Sequence, residues 1–499
     1  MYAKKTITSS LFFLSVLITV CSCGPSIRNY SPTKKFSRQE LQQDYGLLRN
    51  ILEKEHPSLY WYTSKDSMDI YFDRYYNAIA DSMTEQQFGW KVLAPLTNKI
   101  HCGHTSFGMS KAFNKWARNK RFAGLPIFIK LWNDTMAVTA NLNRKDSLFK
   151  RGTIITSING FHYRDIVNTM FDHLVEDGYA DNVKYLRISN NFPYYHRNIF
   201  GLSKQYFVQY LDSSGVEQTE KVPLFEFPKD SSHLFAPSKK SRHQKRTERL
   251  QAARSIAVDT TNNTAIITLN TFSTGALRKF FRQSFRYIRI TGIDNVILDI
   301  RSNGGGKINL STLLTKYVTR RPFRVADTAY AKVGSLGRYT KYIKGRVVNN
   351  IGLFFLTKKR ADGLHHFGMW ERKMYKPKSK NHYGGSLYVL INGSTFSAST
   401  LFCNDIKGQP GITLVGEEAG GGWHGNNGIL IPDITLPNTH LRVRLPLFRL
   451  IQYKHIPKNG WGVRPDIYIP TNYEALVKGY DKKMQVVMEM IKRKRAIGN

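Results

Sequence analysis

A serine set where a buried strand turns into a helix can act as a nucleophile, and Ser397 occupies such a place. Leu387 to Ile391 is a short apolar run that suits a buried strand, and Asn392-Gly393-Ser394 breaks it. From Ser397 the period changes: Ala398, Leu401, Phe402 and Ile406 fall on one helical face. The free N–H groups and dipole at that helix start favour negative charge, as an oxyanion or an activated hydroxyl requires. A serine there is ordinarily just an N-cap. A second stretch gives it another meaning. Val296 to Ile300 is a buried strand running through Arg301-Ser302-Asn303 into Gly304-Gly305-Gly306. Consecutive glycines let backbone amides approach a ligand with no side chain between. One strand end with a hydroxyl and another with bare amides are the parts of an acyl-transfer site.

Together the segments ILDIRSNGGG (297–306) and STFSAST (394–400) resemble the C-terminal processing, or tail-specific, serine peptidases and their tricorn relatives. The resemblance spans roughly residues 36 to 475. It implies peptide hydrolysis through an acyl-enzyme, with Ser397 as nucleophile and the amides of Ala398 and Gly305 as oxyanion hole. No cofactor and no metal are expected, and the partner is a peptide or protein substrate. The Ser–Lys branch of the family places its lysine in the glycine turn after the next strand. Here that turn reads Gly416-Glu417-Glu418-Ala419-Gly420-Gly421-Gly422-Trp423-His424 and holds none. The chain is more similar to the tricorn-like Ser/His branch, whose base follows a helical front in a small-residue–His step, matched by Gly103-His104-Thr105. His104 is therefore the expected base, with an ordinary histidine pKa of about 6.5 suited to taking and returning a proton. That branch orients its histidine with a glutamate just ahead of a step present here as Gly462-Val463-Arg464-Pro465-Asp466, but Asn459 stands in the acid's place. Asn459 is left as a possible orienting group, with His424 and Glu417 as alternative bases or orienting residues. The incomplete set keeps open a catalytically silent, peptide-binding envelope lipoprotein of the same fold.

The elements that must position these residues follow from periodicity and punctuation. Residues 37–120 read as a helical domain, with apolar stripes through Leu41, Tyr45, Leu48, Ile51 and Leu52, through Ile70 to Met83, and through Phe88, Val92 and Leu96. Residues 121–227 read as mostly β. There Gly152-Thr153-Ile154-Ile155-Thr156-Ser157-Ile158-Asn159-Gly160 resembles the strand-turn of PDZ-like domains, which capture peptide ends by strand addition. A basic linker is expected over 228–256, a catalytic core over 257–475 and a basic C-terminal helix over 476–499. Strand–helix–strand order gives the core an α/β class. The resemblance implies that this core is crotonase-like, a spiral α/β fold.

Composition bounds the rest. The 499 residues are 41% hydrophobic, enough for two or three cores, and carry a net charge of +38 with pI near 10.0. Nucleic acid is the first partner such charge suggests, but no nucleic-acid motif accompanies it. Residues 1–23 read as a signal peptide: Lys4 and Lys5 precede an apolar stretch shorter than the ~17–25 residues that span a bilayer, ending at Cys23. The ending resembles a lipobox with Cys23 as the lipidated residue, and residues 24–36 as a tether. The expected location is the bacterial envelope, lipid-anchored and periplasm-facing on the outer membrane. Cys102 and Cys403 are expected to be buried free thiols, although an oxidising compartment permits a disulfide.

Overall fold

The structure is a computed structural model describing residues 30–228, 240–454 and 456–498; the signal segment with Cys23, residues 24–29 of the tether, and residues 229–239 of the basic linker lie outside these. The helical front begins where Ser37 accepts from the Glu40 amide while the Glu40 carboxylate accepts from the Ser37 amide, a reciprocal cap. Helix Arg38–Glu55 buries Leu41, Tyr45, Leu48, Ile51 and Leu52 and stops at His56, the residue before Pro57. Lys65–Asn77 packs against it through Met68 and Phe72. The third apolar stripe is not one helix. It is three short pieces, Glu85–Phe88, a π-helical turn Gly89–Leu93, and Ala94–Asn98 with Pro95 in its first turn. A proline cannot continue the ladder of N–H bonds, so the segment changes its winding there.

The middle sheet contains Ile127–Trp132, Thr135–Asn141, Ile154–Ile158, Gln205–Leu211 and Glu217–Pro223 in that order, with Phe161–His162 beside Ile154–Ile158. Helix Asn182–Phe200 covers it, burying Ile188 and Phe192 with Ile127, Ile129, Ile155 and Val208. The segment read as a basic linker is in part ordered: Arg242–Ala253 is a helix capped by Ser241, leading into the strand Arg254–Asp259.

The core is one open six-stranded sheet in the order Arg254–Asp259, Thr264–Leu269, Asn295–Asp299, Ser386–Ile391, Ile412–Gly416, Ile467–Tyr468. The first pair is antiparallel and every later pair is parallel. Both faces are covered, which is why these strands are continuously apolar. Val296, Leu298, Leu387 and Val389 face helices Leu277–Ile290, Ile308–Val318 and Ala398–Ile406. Ile297, Tyr388, Leu390 and Val415 face Val487 and Ile491 of helix Lys482–Gly498. This architecture corrects the crotonase-like expectation. Parallel strands taken in chain order across one open sheet, with helices in the crossovers from Thr264–Leu269 to Ile412–Gly416, make a layered α/β core and not a spiral.

A second sheet adds Lys358–Lys359, His365–His366, Thr328–Ala331, Arg449–Ile451 and Gly425–Asn426. A third pairs Asp433–Thr435 and Arg442–Arg444 of the core with Phe107–Gly108, three residues beyond His104. Backbone hydrogen bonds therefore lock the helical front to the core beside the expected base.

Candidate active site

Parallel pairing brings the carboxyl ends of three strands to one edge: Asp299 lies opposite Leu390, and Ile391 opposite Gly416. Such an edge is where open α/β sheets hold their ligands. The turn after Ser386–Ile391 is drawn tight by Thr395, whose hydroxyl donates to Ile300 O (3.1 Å) and whose carbonyl accepts from Gly420 N (3.1 Å). Ser397 ends that turn with φ +55° and ψ −119°, a left-handed conformation that a non-glycine residue holds only when its surroundings compel it. Its hydroxyl stands at the start of helix Ala398–Ile406, where the Ala398 amide has no acceptor among the described residues.

The glycine turn is fastened to the serine turn by Asn303, which is fully buried. Its carbonyl accepts from Phe396 N (3.1 Å), its side-chain amide donates to Leu269 O (3.0 Å), and its side-chain oxygen accepts from Gly305 N (3.0 Å). Gly305 has φ +98°, and a Cβ there would lie 2.8 Å from Phe396 O and Ser397 Cβ and 2.9 Å from Ala398 N. Only glycine allows this approach. In this state, however, its N–H is directed at Asn303, and the open donor beside Ser397 is that of Ala398.

His104 arrives from the other end of the chain. Its Nε2 lies 3.0 Å from Ser397 Oγ although 293 residues separate the two. The imidazole is 3% exposed and packs on the Phe396 ring, centroids 4.8 Å apart. Gly103 allows that packing, since a Cβ there would lie 2.6 Å from Phe396 Cζ. Burial, then the cations of Arg444, Arg187 and Arg449, hold the His104 pKa down to about 3, not at the ordinary value expected from sequence. The ring is thus neutral above that pH, and for Nε2 to accept the serine proton Nδ1 must carry the hydrogen.

Nδ1 has no hydrogen-bond partner among the described residues, but Asp177 Oδ1 lies 3.9 Å away. Asp177 is 4% exposed and accepts from Gly103 N (2.7 Å) and Gly422 N (3.4 Å), joining the base turn to the glycine turn of the core. Burial pushes its carboxyl up to about 6, against the pull of those amides and of Arg449 and Arg187. Sequence reading missed Asp177. It lies in the segment between the strands of the middle sheet, and no motif or spacing marks it.

The other candidates lie elsewhere. Asn459 is exposed, and its side-chain oxygen accepts from Trp461 N within its own turn (3.1 Å). His424 binds the Ile456 carbonyl through Nδ1 and lies against Trp61 (5.7 Å). Glu417 pairs with Lys483 (2.9 Å) on the far helix. None of the three has a contact with His104 or Ser397 among the described residues. Asp466 braces the sheet by accepting from Leu414 N (2.8 Å) and pairing with Lys407. Cys102 and Cys403 are buried free thiols, as expected. No group of three His, Cys, Asp or Glu among the described residues could hold a metal.

Two further features shape access. A Cβ on Gly428 would lie 3.0 Å from Ser397 Oγ and 3.6 Å from His104 Nε2, so this loop residue roofs the pair closely. Beside Gly103 opens a cavity of about 280 Å³ lined by Trp90, Phe107, Tyr194, Tyr195, Arg187 and Arg444.

Residues 263–469 match the family model Peptidase family S41. Among solved structures, mature CPAF complexed with lactacystin superposes with a TM-score of 0.62 at 14% identity, covering 91% of this chain and 99% of that one. Mature CPAF itself gives 0.62 and 14%, covering 91% and 98%. No curated protein matches the chain. The fold is thus S41-peptidase-like, with helical and β domains beside the core, in place of the expected crotonase-like spiral. Over residues 263–469 the chain is thus similar to Peptidase family S41, and over most of its length its fold is shared with mature CPAF.

Proposed function

We propose that the chain is an envelope peptidase in which Ser397 is the nucleophile and His104 the general base. The 3.0 Å contact between His104 Nε2 and Ser397 Oγ, made across 293 residues, carries this reading. In the first step Ser397 Oγ attacks the scissile carbonyl and its proton passes to Nε2. The Ala398 amide receives the developing oxyanion, and Gly305 joins it by turning its N–H from Asn303. The imidazolium then returns the proton to the leaving amine, and water repeats the cycle on the acyl-enzyme. Asp177 is the orienting carboxylate: it keeps the Nδ1–H tautomer facing it and offsets the imidazolium charge as the 3.9 Å gap closes. It takes the part that an acid at Asn459 plays in the tricorn-like arrangement, and so removes the main support for a silent binding protein.

The middle β domain is read as PDZ-like and as a holder of peptide ends. The location proposed is the bacterial envelope, with Cys23 as the lipid anchor; among the described residues no helix is long and apolar enough to cross a membrane. A fluorophosphonate probe tests the catalytic reading. Label is expected on the natural protein and not on Ser397→Ala, and an unlabelled natural protein that binds peptide would establish the silent alternative.

A further inference from the structure

Helix Arg346–Leu356, RVVNNIGLFFL, is amphipathic in the inverted sense. Its inner side buries Asn349 and Leu353, and Gly352 rides on Leu430. Its outer side presents Val347, Val348, Ile351, Phe354 and Phe355, positions i, i+1, i+4, i+7 and i+8 that form one stripe. Val348 is 70% exposed, Phe354 72% and Phe355 76%. A soluble surface keeps large apolar side chains scattered; a contiguous stripe of them marks a contact face.

The surroundings indicate what meets that face. Between Thr328 and Ala361 the chain has eight basic residues and no acidic one. Lys344 and Arg346 stand exposed at the start of the helix, and Lys358 and Lys359 stand exposed just beyond its end on the edge of the second sheet. None of these four is in an ion pair among the described residues; the nearby Arg360 is, with Glu371. A stripe of aromatic and aliphatic side chains bracketed by unpaired cations at both ends is complementary to an anionic lipid surface. Acyl chains take the stripe and headgroup phosphates take the lysines and arginines. A second copy of the chain fits less well, because a symmetric contact sets the same cationic rim against itself.

We propose that helix Arg346–Leu356 docks the folded protein on anionic membranes, independently of any lipid anchor. Docking there has a direct bearing on the site. Leu430, beneath the helix, is two residues from Gly428, which faces Ser397 and His104. The mouth of the site is thereby held near the headgroups, where membrane-proximal peptide segments become its neighbours.

The test uses the full chain carrying Cys23→Ser, so that no acyl group contributes. Co-sedimentation is measured with vesicles of phosphatidylcholine alone and of phosphatidylcholine mixed with phosphatidylglycerol. Binding is expected to the mixed vesicles, to weaken with salt, and to fall by about tenfold or more in Phe354→Ser/Phe355→Ser. Both rings are exposed, so that variant keeps the native circular dichroism. Phe355→Trp is expected to shift its emission to the blue on the same vesicles. No binding to mixed vesicles, or equal binding by the double variant, overturns the proposal. So does a concentration-dependent dimer that the double substitution dissolves without vesicle binding, which would assign the face to a second copy.

Discussion

The two halves of the site are held by opposite means. The Ser397 turn is held by its backbone: Thr395, Asn303 and Gly305 tie it to two neighbouring strands through hydrogen bonds of about 3 Å. The His104 ring, on a turn that hydrogen bonds also tie, is itself held by packing and buried charge: it lies against Phe396, Gly103 gives it room, and Asp177 stands nearby without a formed bond to Nδ1. A backbone-built site is rigid before substrate arrives. A packed and charged one keeps a gap that the reaction can close. On the proposed reading, the nucleophile is thus fixed in place, and the base is poised.

Breaking the rigid half should cost most. Ser397→Ala is expected to lower kcat by about 10⁶, the scale seen when a triad nucleophile is removed, with the fold intact by circular dichroism. On the poised half, Asp177→Asn is expected to lower kcat/KM by up to about 10⁴, because the amide neither fixes the tautomer nor offsets the imidazolium. An effect of only a few fold would return Asp177 to a structural role in bracing Gly103 and Gly422. Gly305→Ala brings a Cβ within 2.9 Å of three backbone or Ser397 atoms at φ +98°, and a loss of about 10²–10³ is expected. Full activity in that variant would place the oxyanion hole elsewhere.

The pH profile sharpens the same contrast. Asp177 titrates upward, to about 6, and His104 downward, to about 3. Above about pH 6 the carboxylate is charged and the imidazole neutral, which is the working state. As pH falls through about 6 the carboxylate takes a proton and kcat/KM declines, well before His104 itself does so. The acid limb therefore belongs to Asp177, and Asp177→Asn should remove it. A limb near 6 that survives this substitution would mean that His104 titrates at its ordinary value. The smallest effect is expected at Asn459: Asn459→Asp should leave kcat/KM within about twofold, since that side chain lies in its own exposed turn.

Legibility in the sequence follows the same division. Strand-to-turn-to-helix patterns such as Ser386–Ile391 into Ala398–Ile406 are local, so Ser397 and the glycine turn could be read from apolar period and punctuation. His104 could be read only through family resemblance, because a histidine at a glycine turn carries no local mark. Asp177 could not be read at all. Its role depends on a meeting of the helical front, the middle segment and the glycine turn at Gly422, and no spacing records it. The sheet order that replaced the expected spiral is likewise a matter of long-range pairing. Asn459 misled for the converse reason: its place in the sequence matched the family, while its turn points the side chain back at Trp461.

The distance along the chain between His104 and Ser397 also sets when the protein becomes dangerous. Ser397, His104 and Asp177 come from three separate stretches of the chain, and the family-matching segment beginning at residue 263 contains only the serine. A nascent or half-folded chain therefore has a hydroxyl with no base, and hydrolyses nothing. Closing a loop of this length carries an entropy cost, offset here by the core that the helical front shares with residues 325–450. On the proposed reading, the assembly of distant stretches is itself what switches the site on.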